Sequence, residues 1–293
     1  MQASLYHKSG VRWRGQGRIR YPTGLKHLPG TLFLRNLVGR RALLVQLVRR
    51  DFEQRYVGSA AGWLWGVIHP LVLLVCYIFV FQICLRIPPP QGAVTHNYAV
   101  YFFCGFLPWL LFQETVMRSS TAVVEHANLI TKTIFPAEVI PVAVFLSALI
   151  SHLLTLGIVV IVVAVWLKHF SLMVLLLPVY MVLLGLLAIG VSWVASSLHV
   201  YLRDTAQVVT VIMTLWFWVT PILIYEDLYP ARLRFLLSLN PLAYLVRAYR
   251  DRLLSYQLPG LRDLAVLAGF GICSFVAGGL IFRHLKRGFA DVL

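Results

Sequence analysis

The sequence holds few residues whose types and spacing would support chemistry. Within the apolar stretches the ionisable side chains are Glu114, His69 and His152, and Glu114 lies four residues before Arg118, a spacing that favours a local ion pair. No two of the nine histidines have the spacing of zinc ligands. There is no Gly-Lys dipeptide for a phosphate-binding loop and no Gly-x-Ser-x-Gly elbow. We therefore expect neither an enzyme nor an ion-coupled transporter, and no metal or cofactor on this chain.

Aromatic side chains are the second group with a chemical use. Interface belts and packing account for many aromatics in membrane proteins, but Trp216 and Trp218 sit near the middle of their apolar stretch. Aromatic faces stack well on sugar rings and bind them loosely enough to allow sliding. The candidates for lining a path are Trp63, Trp65, Tyr77, Phe81, Phe106, Trp109, Trp216, Phe217 and Trp218.

The elements that position these residues are predicted to be membrane spans. The chain has 293 residues and is 59% hydrophobic, too apolar for a soluble domain. Several apolar runs exceed the length of ~18 residues that marks a candidate span. Six spans are predicted, at Trp63–Cys84, Tyr98–Met117, Val139–Leu167, Leu172–Leu198, Val208–Tyr225 and Leu264–Phe282. The predicted fold class is an all-α polytopic membrane protein.

Lys and Arg residues decide the orientation of such a chain, because loops rich in them stay in the cytoplasm. Residues 1–57 carry twelve, and together with the loops 118–138 and 199–206 and the C-terminus this side holds eighteen. The other side holds eight, six of them in the segment 226–263. Both termini are therefore predicted to be cytoplasmic. Basic loops also account for the net charge of +15 without a nucleic-acid partner.

The chain divides into three predicted regions. Residues 1–38 mix glycine, arginine and aromatics with little periodicity, and we expect a cytoplasmic arm. Apolar residues at every fourth position predict an amphipathic interface helix over 39–57, with Asp51 and Arg55 paired on its apolar side. Residues 58–290 hold the six spans.

The segment before the last span is predicted to be more than a loop. The stretches "ARLRFLLSL" and "PLAYLVRAYRDRLL" both have helical apolar spacing, and Asn240-Pro241 separates them. We expect two short external helices that dip back into the outer leaflet or cover the bundle.

Four stretches together resemble those of a known family. They are "RRDFEQRYVGSAAGWLWGVIHPL", "NLITKTIFPAEVIP", "YLRDTAQVVTVIMTLWFWVTPILIY" and "NPLAYLVRAYRDRLL". In this order on a six-span plan they are similar to the membrane subunits of type-2 ABC exporters of polysaccharides, the O-antigen, capsule and teichoic acid permeases. The resemblance covers nearly all of residues 39–290.

The resemblance implies partners and sites. It implies a homodimer in the bacterial cytoplasmic membrane, paired with two copies of a separate ABC ATPase that holds ATP and Mg²⁺. A coupling helix in the loop 118–138 would contact that ATPase, with Asn128 as its N-cap. The ATPase-coupling residues would be Asn128, Ile130, Lys132, Ile134, Phe135 and Pro136.

Two further groups of residues take roles from the resemblance. The interface-helix arginines would either meet the pyrophosphate of a lipid-linked substrate or simply anchor the helix; they are Arg49, Arg50 and Arg55. The external helices would close the channel from outside, with gate residues Pro221, Asn240, Pro241 and Arg250.

The function implied is that of a permease subunit, moving a polyprenyl-pyrophosphate-linked polysaccharide across the cytoplasmic membrane. One alternative is an ABC permease for a small molecule such as a drug or haem, which the aromatic spans and short external segment disfavour. The other is an intramembrane glycosyl or polyprenyl transferase. That enzyme needs paired carboxylates near the membrane surface, whereas Glu226-Asp227 has the character of an external turn.

Overall fold

The structure is a computed structural model, and it describes residues 41–55, 57–87, 97–132, 135–166, 171–255 and 260–293. Over these ranges the regular structure is helical, and none of them contains a β-strand. This agrees with the all-α class predicted from the composition. The predicted arm, residues 1–38, lies outside the described residues.

The helices are numbered in chain order. They are α1 (Arg41–Gln54), α2 (Trp65–Tyr77), α3 (Tyr98–Glu125), α4 (Ala127–Lys132), α5 (Val139–Trp166), α6 (Leu177–Tyr201), α7 (Thr205–Val219), α8 (Arg234–Leu239), α9 (Pro241–Leu254), α10 (Leu261–Leu285) and α11 (Phe289–Val292). Shorter turns join or extend them, namely a π-helix at Ile78–Cys84 and 3-10 turns at Gly62–Leu64, Leu172–Leu176, Glu226–Leu228, Ala231–Leu233 and Lys286–Gly288.

Four of these helices, among the described residues, are long and apolar enough to cross a bilayer: α3, α5, α6 and α10. Helix α2 with its π-helical continuation and helix α7 are shorter apolar helices. The helices differ most from the predicted spans at two ends. The span predicted at Val208–Tyr225 ends at Val219, because Pro221 lacks the N–H that a further helical turn requires. The span predicted at Tyr98–Met117 continues to Glu125, since polar residues extend this helix beyond the apolar run.

Local sequence explains where several helices begin. The side chains of Asn97, Ser171 and Asn240 each accept a hydrogen bond from a backbone N–H two or three residues ahead. These caps satisfy N–H groups that the first helical turn leaves without partners. Pro241 then occupies the first position of α9, where its missing N–H costs nothing. The predicted break at Asn240-Pro241 is therefore confirmed.

A glycine elbow separates α1 from α2. Gly58 and Gly62 have φ angles of +78° and +52°, a backbone region that glycine adopts without the steric penalty of a side chain. The bend lets the chain change direction between α1 and α2, both of which pack on α5. Leu47 of α1 packs on Val139 and Ala143 of α5, which holds the interface helix in place.

Helix α3 is the centre of the bundle. In its most apolar window 72% of the residues are buried, the highest share among the candidate spans. It packs against α5, α6 and α9. Helices α6 and α10 cross at glycines, since a Cβ on Gly278 would lie 2.1 Å from the Gly190 carbonyl oxygen. Ser274 of α10 donates from Oγ to the Leu187 carbonyl of α6 at 3.1 Å, across the same contact.

Candidate functional site: a polar helix face, an external clamp and a charged cluster

Helix α7, which the structure describes in full, turns most of its surface away from the rest of the protomer. Gln207, Thr210, Thr214 and Trp218 are exposed. Their spacing of three or four residues places them on one side of the helix, which we term the polar face of α7. The two threonine hydroxyls donate to carbonyls four residues earlier at 3.0 Å, so their oxygens remain able to accept hydrogen bonds. This face offers amide, hydroxyl and indole groups in a row.

The predicted path aromatics fall into two sets. Trp65 and Trp218 are 50% and 60% exposed. Phe106 and Trp109 are instead buried inside the protomer, where both rings pack on Phe217 at centroid distances of 6.0 and 5.5 Å. These two side chains present no surface to a passing ligand, so the prediction for them is revised: they are packing residues. Their ring contacts explain the burial.

The remaining path candidates lie between these extremes. Tyr77 and Phe81 are half-buried and stack at 5.8 Å, and Trp216 packs edge-on against Phe112 at 5.2 Å. The side chain of Trp63 lies outside the described residues. Of the two tryptophans in α7, Trp216 therefore faces the protein and Trp218 does not.

Asn240 ties the end of α7 to the start of α9. The Trp216 Nε1 donates to Asn240 Oδ1 at 3.0 Å, and Asn240 Nδ2 donates to Thr220 Oγ1 at 3.0 Å. The same Oδ1 caps α9 by accepting from the Leu242 N–H. One buried amide thus fixes both helix ends.

Arg250 holds the same junction from the other side. Its guanidinium is 5% exposed and donates to the carbonyl oxygens of Tyr101, Pro221 and Ile222 at 3.2, 2.9 and 2.6 Å. It also lies 4.0 Å from the centre of the Tyr101 ring, a cation–π geometry. A Cβ on Gly105 would stand 2.7 Å from the Arg250 Nε, so a glycine is needed there.

The structure brings the four predicted gate residues together. Pro221, Asn240, Pro241 and Arg250 meet where α3, α7 and α9 come together, and we term this group the external clamp. We expect this group to hold the three helices rigidly, because its buried amide and guanidinium groups are hydrogen-bonded to α3, α9 and the end of α7. That it acts as a gate stays a prediction.

Four charged residues connect α1 and its end to α3. Arg55 pairs with Glu114 at 2.5 Å and Arg118 pairs with Asp51 at 2.7 Å. The predicted local pairs, Asp51 with Arg55 and Glu114 with Arg118, are present but longer, both at 3.7 Å. We term these residues the four-charge cluster. The cross-helix pairs explain why charges stand on the apolar side of α1.

The interface-helix arginines differ in their surroundings. Arg55 belongs to the four-charge cluster and also donates to Ser151 Oγ at 3.0 Å. Arg49 is exposed and pairs with Glu53 of the same helix at 2.7 Å, and Arg50 is exposed. Arg49 and Arg50 are therefore accessible, whereas Arg55 is engaged by the protein. That Arg49 and Arg50 meet a lipid headgroup stays a prediction.

The predicted coupling helix is the short α4. The prediction that Asn128 caps it is wrong: Asn128 is its second residue and is exposed, because the break falls at His126. Ile130 and Phe135 are half-buried and pack on the core, and Pro136 is buried. Ile134 and the Lys132 side chain lie outside the described residues.

The sequence reasoning missed the three polar residues of the α7 face, Gln207, Thr210 and Thr214. Their signal was present, since they recur at helical spacing within an otherwise apolar run. Among the described residues, no group of three His, Cys, Asp or Glu side chains is placed to hold a metal ion.

Comparison with known proteins settles the family. Residues 42–254 match the family model described as ABC-2 type transporter. The chain belongs to this family. As an ABC-2 transporter it is a multi-pass membrane transport subunit rather than an enzyme, and ATP hydrolysis falls to a separate partner ATPase.

Three similar proteins share the same name. The chain is 28% identical over 265 residues to the "O-antigen export system permease protein RfbA" of Myxococcus xanthus, covering 88% of this chain and 98% of that protein. Two proteins of the same name from Klebsiella pneumoniae are 31% and 28% identical over 252 residues, 86% of this chain and 95% of each relative.

Proposed function

We propose that this ABC-2 transporter is the permease subunit that exports a polysaccharide of the O-antigen type, carried on a polyprenyl pyrophosphate, across the bacterial cytoplasmic membrane. The polar face of α7 is the observation that supports a glycan most directly. Its amide and hydroxyl groups match sugar hydroxyls, and the Trp218 indole matches the apolar face of a sugar ring. The names of the curated relatives support the same substrate class.

The proposed active form is a homodimer. Helix α7 and the exposed side of α2 and its π-helical continuation, with Val72 and Phe79, leave large surfaces uncovered in one protomer. A polar face on one protomer cannot enclose a path by itself, and polar groups facing lipid are costly. Two copies with their α7 polar faces opposite each other enclose a path lined by hydroxyls and indoles. The uncovered apolar residues then become the contact between protomers.

The proposed topology has six spans with both termini in the cytoplasm. These spans are α2 with its π-helical continuation, α3, α5, α6, α7 and α10. Helix α7 has 15 residues and reaches about 22 Å, short of the roughly 30 Å bilayer core. The external clamp joins its end to α9, so α8 and α9 re-enter from the outer side and complete the depth that α7 lacks.

The proposed energy source is a pair of ABC ATPase subunits that hold ATP and Mg²⁺. Helix α4, with Asn128 and Thr131 exposed, is the proposed docking element. The four-charge cluster carries a shift of α1 into α3 because its ion pairs cross between the two elements. Arg49 and Arg50 are proposed to meet the substrate pyrophosphate in the headgroup layer.

Three alanine variants test the path. Trp218→Ala is expected to lower surface polysaccharide at unchanged protein level, because the side chain is exposed and supports little packing. Trp216→Ala and Phe217→Ala are expected to lower the protein level, since both side chains are half-buried against neighbouring rings and their loss costs up to roughly 3–5 kcal/mol. Surface glycan and permease in the membrane are measured separately. If all three variants lose export only in proportion to protein, the aromatic path is refuted.

A further inference from the structure

A cavity of about 420 Å³ lies between α2, α3 and α5, beside the end of α1. Its volume falls within the roughly 300–1,000 Å³ that small-molecule sites occupy. Leucine, methionine and proline side chains form part of the lining. The polar side chains at its walls are Arg55, Trp65, His69, Gln113, Glu114, Ser151, His152 and Thr155. His152 is buried, and its Nε2 contacts the Tyr249 hydroxyl at 3.1 Å.

The polar groups of this cavity have hydrogen-bonding capacity to spare. Gln113 accepts from Trp109 Nε1 at 2.7 Å, but its own amide nitrogen contacts the Met117 sulfur at 3.5 Å, a weak acceptor. The Thr155 hydroxyl donates to the Ser151 carbonyl at 3.0 Å and keeps its acceptor sites. Polar side chains at membrane depth are costly unless they are used. A ligand rich in hydroxyl groups would accept a hydrogen bond from the Gln113 amide nitrogen and donate one to the Thr155 hydroxyl oxygen.

The carboxylate and guanidinium groups around the cavity are equal in number, which favours a ligand without net charge. Arg55 is paired with Glu114, and the four-charge cluster as a whole holds two acidic and two basic groups. A phosphate would meet the Glu114 carboxylate, and an acyl chain would bury the Gln113 amide without a partner. A neutral, polyhydroxylated group avoids both penalties. The Trp65 indole, 50% exposed at the wall, supplies a flat surface for the apolar side of a sugar ring.

We propose that this cavity is a sugar-binding subsite, which holds the sugar residues closest to the lipid pyrophosphate before the glycan enters the path along α7. The inference rests on the proposed function. Its place in the fold suits that role, because Arg55 at the end of the interface helix forms one wall. The pyrophosphate then stays in the headgroup layer near Arg49 and Arg50, and the first sugars reach inward past Arg55. The subsite recognises the start of the glycan, whereas the path accepts its whole length.

Site-specific photo-crosslinking tests the subsite in the full complex. A small photo-reactive residue, a diazirine analogue of leucine that leaves room in the cavity, is placed at Thr155, at Trp218 on the proposed path, or at Leu153, a residue of α5 that is 49% exposed. Export is stalled in cells with a hydrolysis-deficient partner ATPase, the cells are irradiated, and adducts of the permease are probed for sugar and for lipid. We expect glycan adducts at positions 155 and 218 and none at position 153.

The possible adducts separate the two proposals. Glycan adducts at 218 without any at 155 overturn the subsite and leave the proposed function intact. Adducts at 155 that carry lipid without sugar overturn the subsite as well. If neither 155 nor 218 gives a glycan adduct, both proposals fail. Equal glycan adducts at 153 and 155 also overturn the subsite, since contact at this depth is then unspecific.

Substitutions at the same position give a second readout. Thr155→Val removes one hydroxyl at constant volume and is expected to weaken glycan retention about two- to tenfold, the range for one neutral hydrogen bond. Thr155→Phe fills the cavity and is expected to abolish export at equal permease level, whereas Leu153→Phe, which places the same aromatic side chain at an exposed position of α5, is expected to export normally. Normal export by Thr155→Phe overturns the subsite.

Discussion

Replacing Arg250 by methionine tests the external clamp. The change removes three charge-assisted hydrogen bonds, to the carbonyls of Tyr101, Pro221 and Ile222, and a cation–π contact. Each such bond contributes about 1.5–3 kcal/mol, and the carbonyls left behind are buried. These terms are not additive, and the change also removes the desolvation cost of the buried guanidinium, so we take roughly 3–5 kcal/mol, which is below the sum of the three bonds. A loss of 1 kcal/mol lowers the thermal unfolding midpoint of a domain of this size by about 2–4 °C, so the midpoint of Arg250→Met is expected to fall by roughly 6–20 °C.

The assay is the thermal midpoint of the purified permease in detergent, followed by fluorescence-detected size exclusion. Arg250→Lys keeps the charge but loses the planar fork, and it is expected to fall between wild type and Arg250→Met. Arg232→Met removes an exposed arginine of the same external segment and is expected to stay within about 0.5 kcal/mol of wild type. If Arg250→Met melts together with Arg232→Met, the clamp does not stabilise the fold and the reasoning from burial is refuted.

Three further variants test the other structural elements. Glu114→Gln is expected to lower the free energy of unfolding by about 1–3 kcal/mol. Adding Arg55→Met should recover part of the loss, because Glu114→Gln leaves the four-charge cluster with two arginines and one acidic group, and the second change removes the excess positive charge; no recovery would contradict the pairing. Gly278→Ala is expected to reduce the amount of protein in membranes sharply, since its Cβ would meet a backbone oxygen of α6, whereas Gly269→Ala meets open space and should express normally. Equal expression of these two would contradict the close helix crossing. Asn128→Arg is expected to reduce co-purification of the ATPase at equal permease level, and unchanged pull-down would exclude α4 as the docking element.

Patterns that repeat along the chain made the helices predictable. Long apolar runs predict spans. The Asn240-Pro241 pair predicts the start of α9, because an N-cap residue followed by proline favours a helix start without any contact from elsewhere in the chain. The boundaries that failed depended on context. Helix α3 runs past its apolar stretch because its polar end carries Arg118, which pairs with Asp51 of α1.

Contacts between distant parts of the chain were beyond sequence reasoning. The spacing of Asp51 and Arg55 indicated a local pair, yet the shorter contact of Arg55 is to Glu114 of another helix. The resemblance predicts Arg250 as a gate residue, but its burial depends on Gly105, which leaves room for the guanidinium. Periodicity alone specifies neither neighbour.

For the aromatics of α7, too, the sequence predicts one feature and a distant contact determines another. Helical geometry alone states that Trp216 and Trp218, two residues apart, cannot share one face. The bond from Trp216 to Asn240 decides which of them packs, and it involves a residue 24 positions away. The rotation of α7 is thus a tertiary property.

The central claim is that this chain carries a polysaccharide across the membrane with energy from a separate ATPase. The most direct measurement reconstitutes the permease, its ATPase and the host's lipid-linked polysaccharide in proteoliposomes, and follows glycan transfer to the opposite leaflet with an impermeant sugar-modifying reagent. We predict transfer that requires ATP and is abolished in vesicles whose ATPase cannot hydrolyse it. A glycan that stays on its original side while ATP is hydrolysed, or a small molecule transported in its place, would contradict the account.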